Sequence, residues 1–155
     1  MEPRELRIGN IIHLRYQLSA PDEWCVREVT VLGVHENGIQ FKKPSGVNSL
    51  IIGLDQLHPI PLTPEWLERL GFEKHDGRSY RIDLAAKTNV YRSYFIIHTC
   101  TWIATGDTPF DFYSIDGNYG KISMARFSYV HQLQNLYFAL TGEELKIKEE
   151  LKTKL

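Results

Sequence analysis

Apolar positions in the first sixty residues come in short runs broken by turn chemistry, which is the pattern of a strand-rich segment. Leu6 to Tyr16 opens with Leu6-Arg7-Ile8-Gly9-Asn10 and continues apolar. Val26 to His35 is dense in β-branched residues, with Val29, Thr30, Val31 and Val34. Asn37-Gly38 follows, then Ile39 to Lys42. Asn-Gly tolerates the positive φ of a type I′ turn, so this spacing predicts a hairpin. Lys43 to Ser49 is loop chemistry, and Leu50-Ile51-Ile52 suits another short strand. Several short, tightly turned strands over such a length predict a small SH3-like barrel, or an open meander with the same pattern.

Residues 58–64 carry three prolines, which cannot donate to a ladder and so form a stiff connector. Thr63 is placed to cap a helix whose first position is Pro64, and Leu62 to staple against Leu67. Gly71 ends it in the left-handed conformation, with Phe72 folding back. Two turns, Pro64 to Leu70, survive only by packing Trp66, Leu67 and Leu70 onto something larger.

Strand patterning returns from Phe72 to Phe127. Asp76-Gly77 and Asp116-Gly117 are hairpin signals, Val90 to Thr101 is a long aromatic and β-branched run, and Gly106 to Pro109 turns the chain. An antiparallel sheet of four to six strands is expected. From Tyr129 to Leu140 the period changes. Val130, Leu133, Leu136, Tyr137 and Leu140 fall on one stripe, predicting a helix over one face of that sheet. Thr141-Gly142-Glu143-Glu144 has capping-box form, so a second helical segment is expected from Gly142, supported by Glu144–Lys148 and Glu150–Lys154 pairs. The expected fold is α+β: an SH3-like β module over 1–60, then 61–155 with a short helix, a second antiparallel sheet and a C-terminal helix packed on it. The two regions could also share one core, since sixty residues is marginal alone.

Composition then narrows function. With 155 residues, 24% charged and a net charge of -1, the chain has no large basic field for nucleic acid or anionic lipid. Its N-terminus lacks the apolar core of a signal peptide, and no run approaches a membrane span, so a cytoplasmic protein with reduced cysteines is expected. Phosphate loops, HExxH, CxxC and GxSxG motifs are missing from the sequence. No cofactor and no metal are expected. His98 and Cys100 share a strand face if that run is a strand, and a thiolate activated by imidazole needs such proximity. The competing reading is a buried cysteine beside an ordinary strand neighbour. Asp107, Asp111 and Asp116 lack the spacing of a calcium loop, and turns account for Asp107 and Asp116.

Aromatic density is the unusual feature. Arg78 to Arg126 holds nine aromatics in forty-nine residues, interleaved with six basic and four acidic side chains. An open sheet face carrying Arg92, Tyr94, Trp102 and Tyr113 would suit a protein partner or the stacking of bases. The favoured reading, however, is that half of these rings form a core beneath the final helix, with the tyrosine hydroxyls at its wet edge. Six charges against four make a poor funnel for nucleic acid, so a protein partner is favoured. A non-enzymatic binding or accessory protein is the first reading. An RNA or single-strand binding module and an enzyme using Cys100 and His98 are the alternatives.

Three segments, Leu6 to Asn10, Leu57 to Thr63 and Tyr129 to Leu145, resemble a family of small uncharacterised proteins of Bacteroidetes genomes, their prophages and phages. The resemblance implies one architecture along nearly the whole chain and a mobile-element context. It implies no activity and no catalytic residue.

Overall fold

The computed structural model describes residues 2–18, 24–41, 51–77, 79–83, 94–99, 110–116 and 120–148; between 94 and 127 the description is of the backbone, plus the Ile97 side chain. It is α+β, and it divides into two compact units, Met1–Pro61 with Tyr129–Leu136, and Leu62–Ser128 with Tyr137–Leu155.

In the first unit, strands β1 (Ile11–Gln17), β2 (Trp24–His35), β3 (Gly38–Phe41), β4 (Ile52–Gly53) and β5 (Leu57–His58) form an antiparallel sheet in the order β4-β3-β2-β1-β5. It curls as a half-barrel of the SH3-like kind. Ile12 lies opposite Val29 and Leu14 opposite Arg27, so one parity turns inward. That parity fills a core of Leu6, Ile12, Leu14, Val29, Val31, Ile39, Phe41 and Leu57. Burying each contributes about 1.5–3 kcal/mol, the main term holding so small a sheet.

The β2–β3 hairpin forms where expected, but for a different reason. Glu36 and Asn37 make the turn, and Gly38 is the first residue of β3, paired with both His35 and Gly53. Its φ is not positive; positive φ belongs to Gly9, Gly71 and Gly142 among the described glycines. Gly38 is required because β4 passes so close that a Cβ would collide with the Ile52 carbonyl.

Helix α1 (Pro64–Arg69) opens the second unit with the predicted ends. Thr63 Oγ1 accepts the Trp66 N–H at 3.4 Å, Pro64 is first, and Gly71 (φ +94°) lets Phe72 N–H return to the Leu67 carbonyl at 2.9 Å. Trp66, Leu67, Leu70 and Phe72 are buried, and Arg69 lies 3.8 Å over the Trp66 ring centre. Strands β6 (Glu73–Asp76), β7 (Ser79–Asp83), β8 (Tyr94–Thr99), β9 (Phe110–Asp116) and β10 (Gly120–Phe127) form a consecutive antiparallel meander. Tyr80 and Ile97, opposite each other, are buried on the apolar face.

Helix α2 (Val130–Thr141) follows the second sheet in the chain. Its first half belongs to the first unit, where Gln134 and Asn135 bond to the N-terminal turn and β1. No helix follows it over 142–148. Thr141 closes α2: its hydroxyl donates to the Tyr137 carbonyl at 2.8 Å and accepts the Glu143 N–H at 3.1 Å, while Gly142 takes φ +73°. The Glu144–Lys148 helical pair therefore does not form, and Lys148 N–H bonds the Arg69 carbonyl at 2.9 Å. The Glu150–Lys154 pair lies outside the described residues.

Candidate functional site

The outward parity of β1 and β2 carries the accessible chemistry. Gln17 opposes Trp24 and Arg15 opposes Val26. Trp24 is 51% and Val26 56% exposed, although both are large apolar groups on a regular strand. The Arg15 guanidinium lies 4.5 Å from the Trp24 ring centre, a cation–π contact that fixes both side chains. Beside them a cleft of about 550 Å³ is lined by Arg15, Tyr16, Gln17, Trp24, Asp55, Gln56 and His58. Its position follows from the ladder. β5 pairs only with His13 and Leu14, because the chain before it turns away in the 3-10 turn Leu54–Gln56. Among the described residues, strand pairing on that side of β1 therefore stops at Leu14. Tyr16 sits at the lip with Arg27 6.0 Å from its ring centre. Hydrogen bonding to Cys25 raises the Tyr16 phenol above its usual pKa, so it stays a neutral polar group.

The residues singled out from sequence lie in the second unit. β8 and β9 put Tyr94 opposite Ile115 and Tyr113 opposite Ile96, two register positions apart. Arg92 and Trp102 lie outside the described residues, as do Cys100 and Asp107. His98 is on β8 between Ser79 and Asp111 in register, and Asp111 opposes Arg126. Serine, histidine and aspartate thus line up across three strands. A nucleophile must be reachable, however, and Ser79 is 0% exposed, with its Oγ lacking a hydrogen-bond partner among the described residues. Removing an unsatisfied buried hydroxyl relieves its desolvation penalty, so Ser79→Ala is expected to leave the urea midpoint unchanged or raise it, by up to about 1 kcal/mol. A loss above about 1 kcal/mol would mean that Ser79 has a partner in solution.

Sequence reasoning missed Trp24, Arg15 and His58. Parity could have found the tryptophan: with Val29 and Val31 turned inward, Trp24 and Val26 fall on the outer side.

No group of three or more His, Cys, Asp or Glu able to hold a metal occurs among the described residues, and no helix there is long and apolar enough to cross a membrane. Comparison with known proteins gave no matching family model, no matching curated protein and no matching solved structure.

Proposed function

We propose that this chain is a non-enzymatic binding module that takes an extended segment of another protein along the open side of β1, beside Trp24. The half-exposed tryptophan under an arginine carries the reading. Exposing an indole to water on a regular strand is unfavourable, and Trp and Arg are the side chains that dominate interface energetics. A cleft of about 550 Å³ falls within the range of binding sites. Arg15, His58 and Asp55 line the cleft and can read the side chains of an extended segment laid beside β1. On the resemblance to phage and prophage proteins, the partner is a phage or host protein.

Displayed peptide libraries test this. Wild type is expected to enrich extended peptides that Trp24→Ala binds about 30-fold more weakly, the loss of a hot-spot residue of about 2 kcal/mol. Trp24 is exposed, so the variant should keep its thermal midpoint. Peptides bound equally by Trp24→Ala, or salt-sensitive binding of single-stranded oligonucleotides without peptide enrichment, would overturn the reading.

A further inference from the structure

A second cavity in the first unit lies where three distant segments meet at the start of α2. It is lined by Glu5, Pro59, Tyr129, His131 and Gln132, and holds about 210 Å³. That is below the 300–1,000 Å³ of sites for whole small molecules, and fits the end of one side chain.

Its walls are fixed. Glu5 ends a 3-10 turn (Pro3–Glu5), its carboxylate accepting the Glu2 N–H at 2.7 Å and its backbone carbonyl accepting from Asn135 Nδ2 at 2.8 Å. Ile60, next to Pro59, accepts the Val130 N–H at 3.0 Å, and Pro61 bridges to Tyr129. The Tyr129 ring stacks on His131 with centres 5.9 Å apart and planes 9° from parallel. His131 is 2% exposed and its Nδ1 is buried without a hydrogen-bond partner.

The groups lining this space are chiefly acceptors and π faces. A carboxylate, a phenol ring and an imidazole face it, and among the described residues no lysine or arginine lines it. Burial, and to a smaller extent the chain's own α-ammonium, hold the His131 pKa below the usual histidine range, against the upward pull of Glu5, so at neutral pH the ring is uncharged and one nitrogen is an acceptor. At the start of α2, Gln132 Oε1 takes the Tyr129 N–H at 3.2 Å, and the Ile60 carbonyl takes that of Val130.

We propose that this cavity binds the cationic head of a lysine or arginine side chain from a partner protein, held between the Glu5 carboxylate and the Tyr129 ring. A charge-assisted hydrogen bond to Glu5 would supply most of the attraction, and the ring face a smaller part. The site stands apart from the Trp24 cleft and does not depend on it.

The test is a titration of isotope-labelled full-length protein, followed by NMR at Tyr129, His131 and Glu5. The probes are the N-acetyl amides of arginine, lysine and glutamate. Arginine or lysine amide should give saturable shifts at millimolar concentration, and glutamate amide none. Glu5→Gln keeps the acceptor for Glu2 but loses the charge, and should weaken binding about tenfold. Tyr129→Leu should weaken it about threefold, and Trp24→Ala should leave it unchanged. No saturable shift with either cation, equal shifts with glutamate amide, or undiminished binding by Glu5→Gln would overturn the proposal.

Discussion

Gly38→Ala is expected to destabilise the chain by about 3 kcal/mol, at the top of the usual range for overpacking. An added Cβ would overlap the Ile52 carbonyl oxygen and lie 2.8 Å from both its carbonyl carbon and Ile51 Cγ2. Two of those three neighbours are backbone, which cannot rotate away as a side-chain tip can. β4 has only two residues and pairs only through Gly38 and Ile39. It must then separate from β3, and partly buried Ile52 and Leu54 lose their packing against the core. For a chain of this size, a loss of that magnitude lowers the thermal midpoint by about 6–12 °C. Calorimetry checks it, with Gly77→Ala as control because nothing lies within 4 Å of a Cβ there. Equal midpoints for the two variants would show that β4 yields freely.

Gln134→Ala should cost about as much by a different route. The Gln134 side chain is fully buried; Oε1 accepts the Ile11 N–H at 2.8 Å, and Nε2 donates to the Gly9 carbonyl at 3.3 Å. Truncation orphans the buried Ile11 N–H, at about 1–3 kcal/mol, frees the part-buried Gly9 carbonyl at a smaller cost, and leaves a void. Asn135→Ala is expected to cost less, because its bond to the Glu5 carbonyl is exposed. Urea unfolding of both gives the comparison, and a Gln134→Ala midpoint within error of wild type would show that water replaces the amide. The buried His131 beside it has no such set of partners, so amides, not imidazole, tie α2 to β1.

The contrast between α1 and α2 shows what the sequence made readable. Every end signal of α1, from Thr63 to Phe72, acts within a few residues, and each was legible. The strands were legible too, since parity and turn residues are local. Thr141 was misread because a threonine hydroxyl can cap the start of one helix or bond back into the end of another. Gly142 in the left-handed conformation decides between them. The roles of Gln134 and Asn135 are not legible in the sequence because their partners lie about 125 residues earlier, and local pattern carries no trace of such a pairing. Gly38 was correctly given a structural role, but for turn conformation; the approach of Ile52 appears only when β4 is in place. The outward side of Trp24 is readable by parity, but the cleft beside it is not, because it depends on where Leu54–Gln56 and β5 fall.

The discontinuity of the first unit has a consequence for biogenesis. The ribosome releases all five of its strands well before Gln134 and Asn135 exist, so Gly9, Asn10 and Ile11 wait without their amide partners while Leu62–Ser128 is made. The early sheet is left incomplete through that interval, with the groups that start β1 still hydrated. Maturation of the N-terminal module thereby waits on translation of the start of α2.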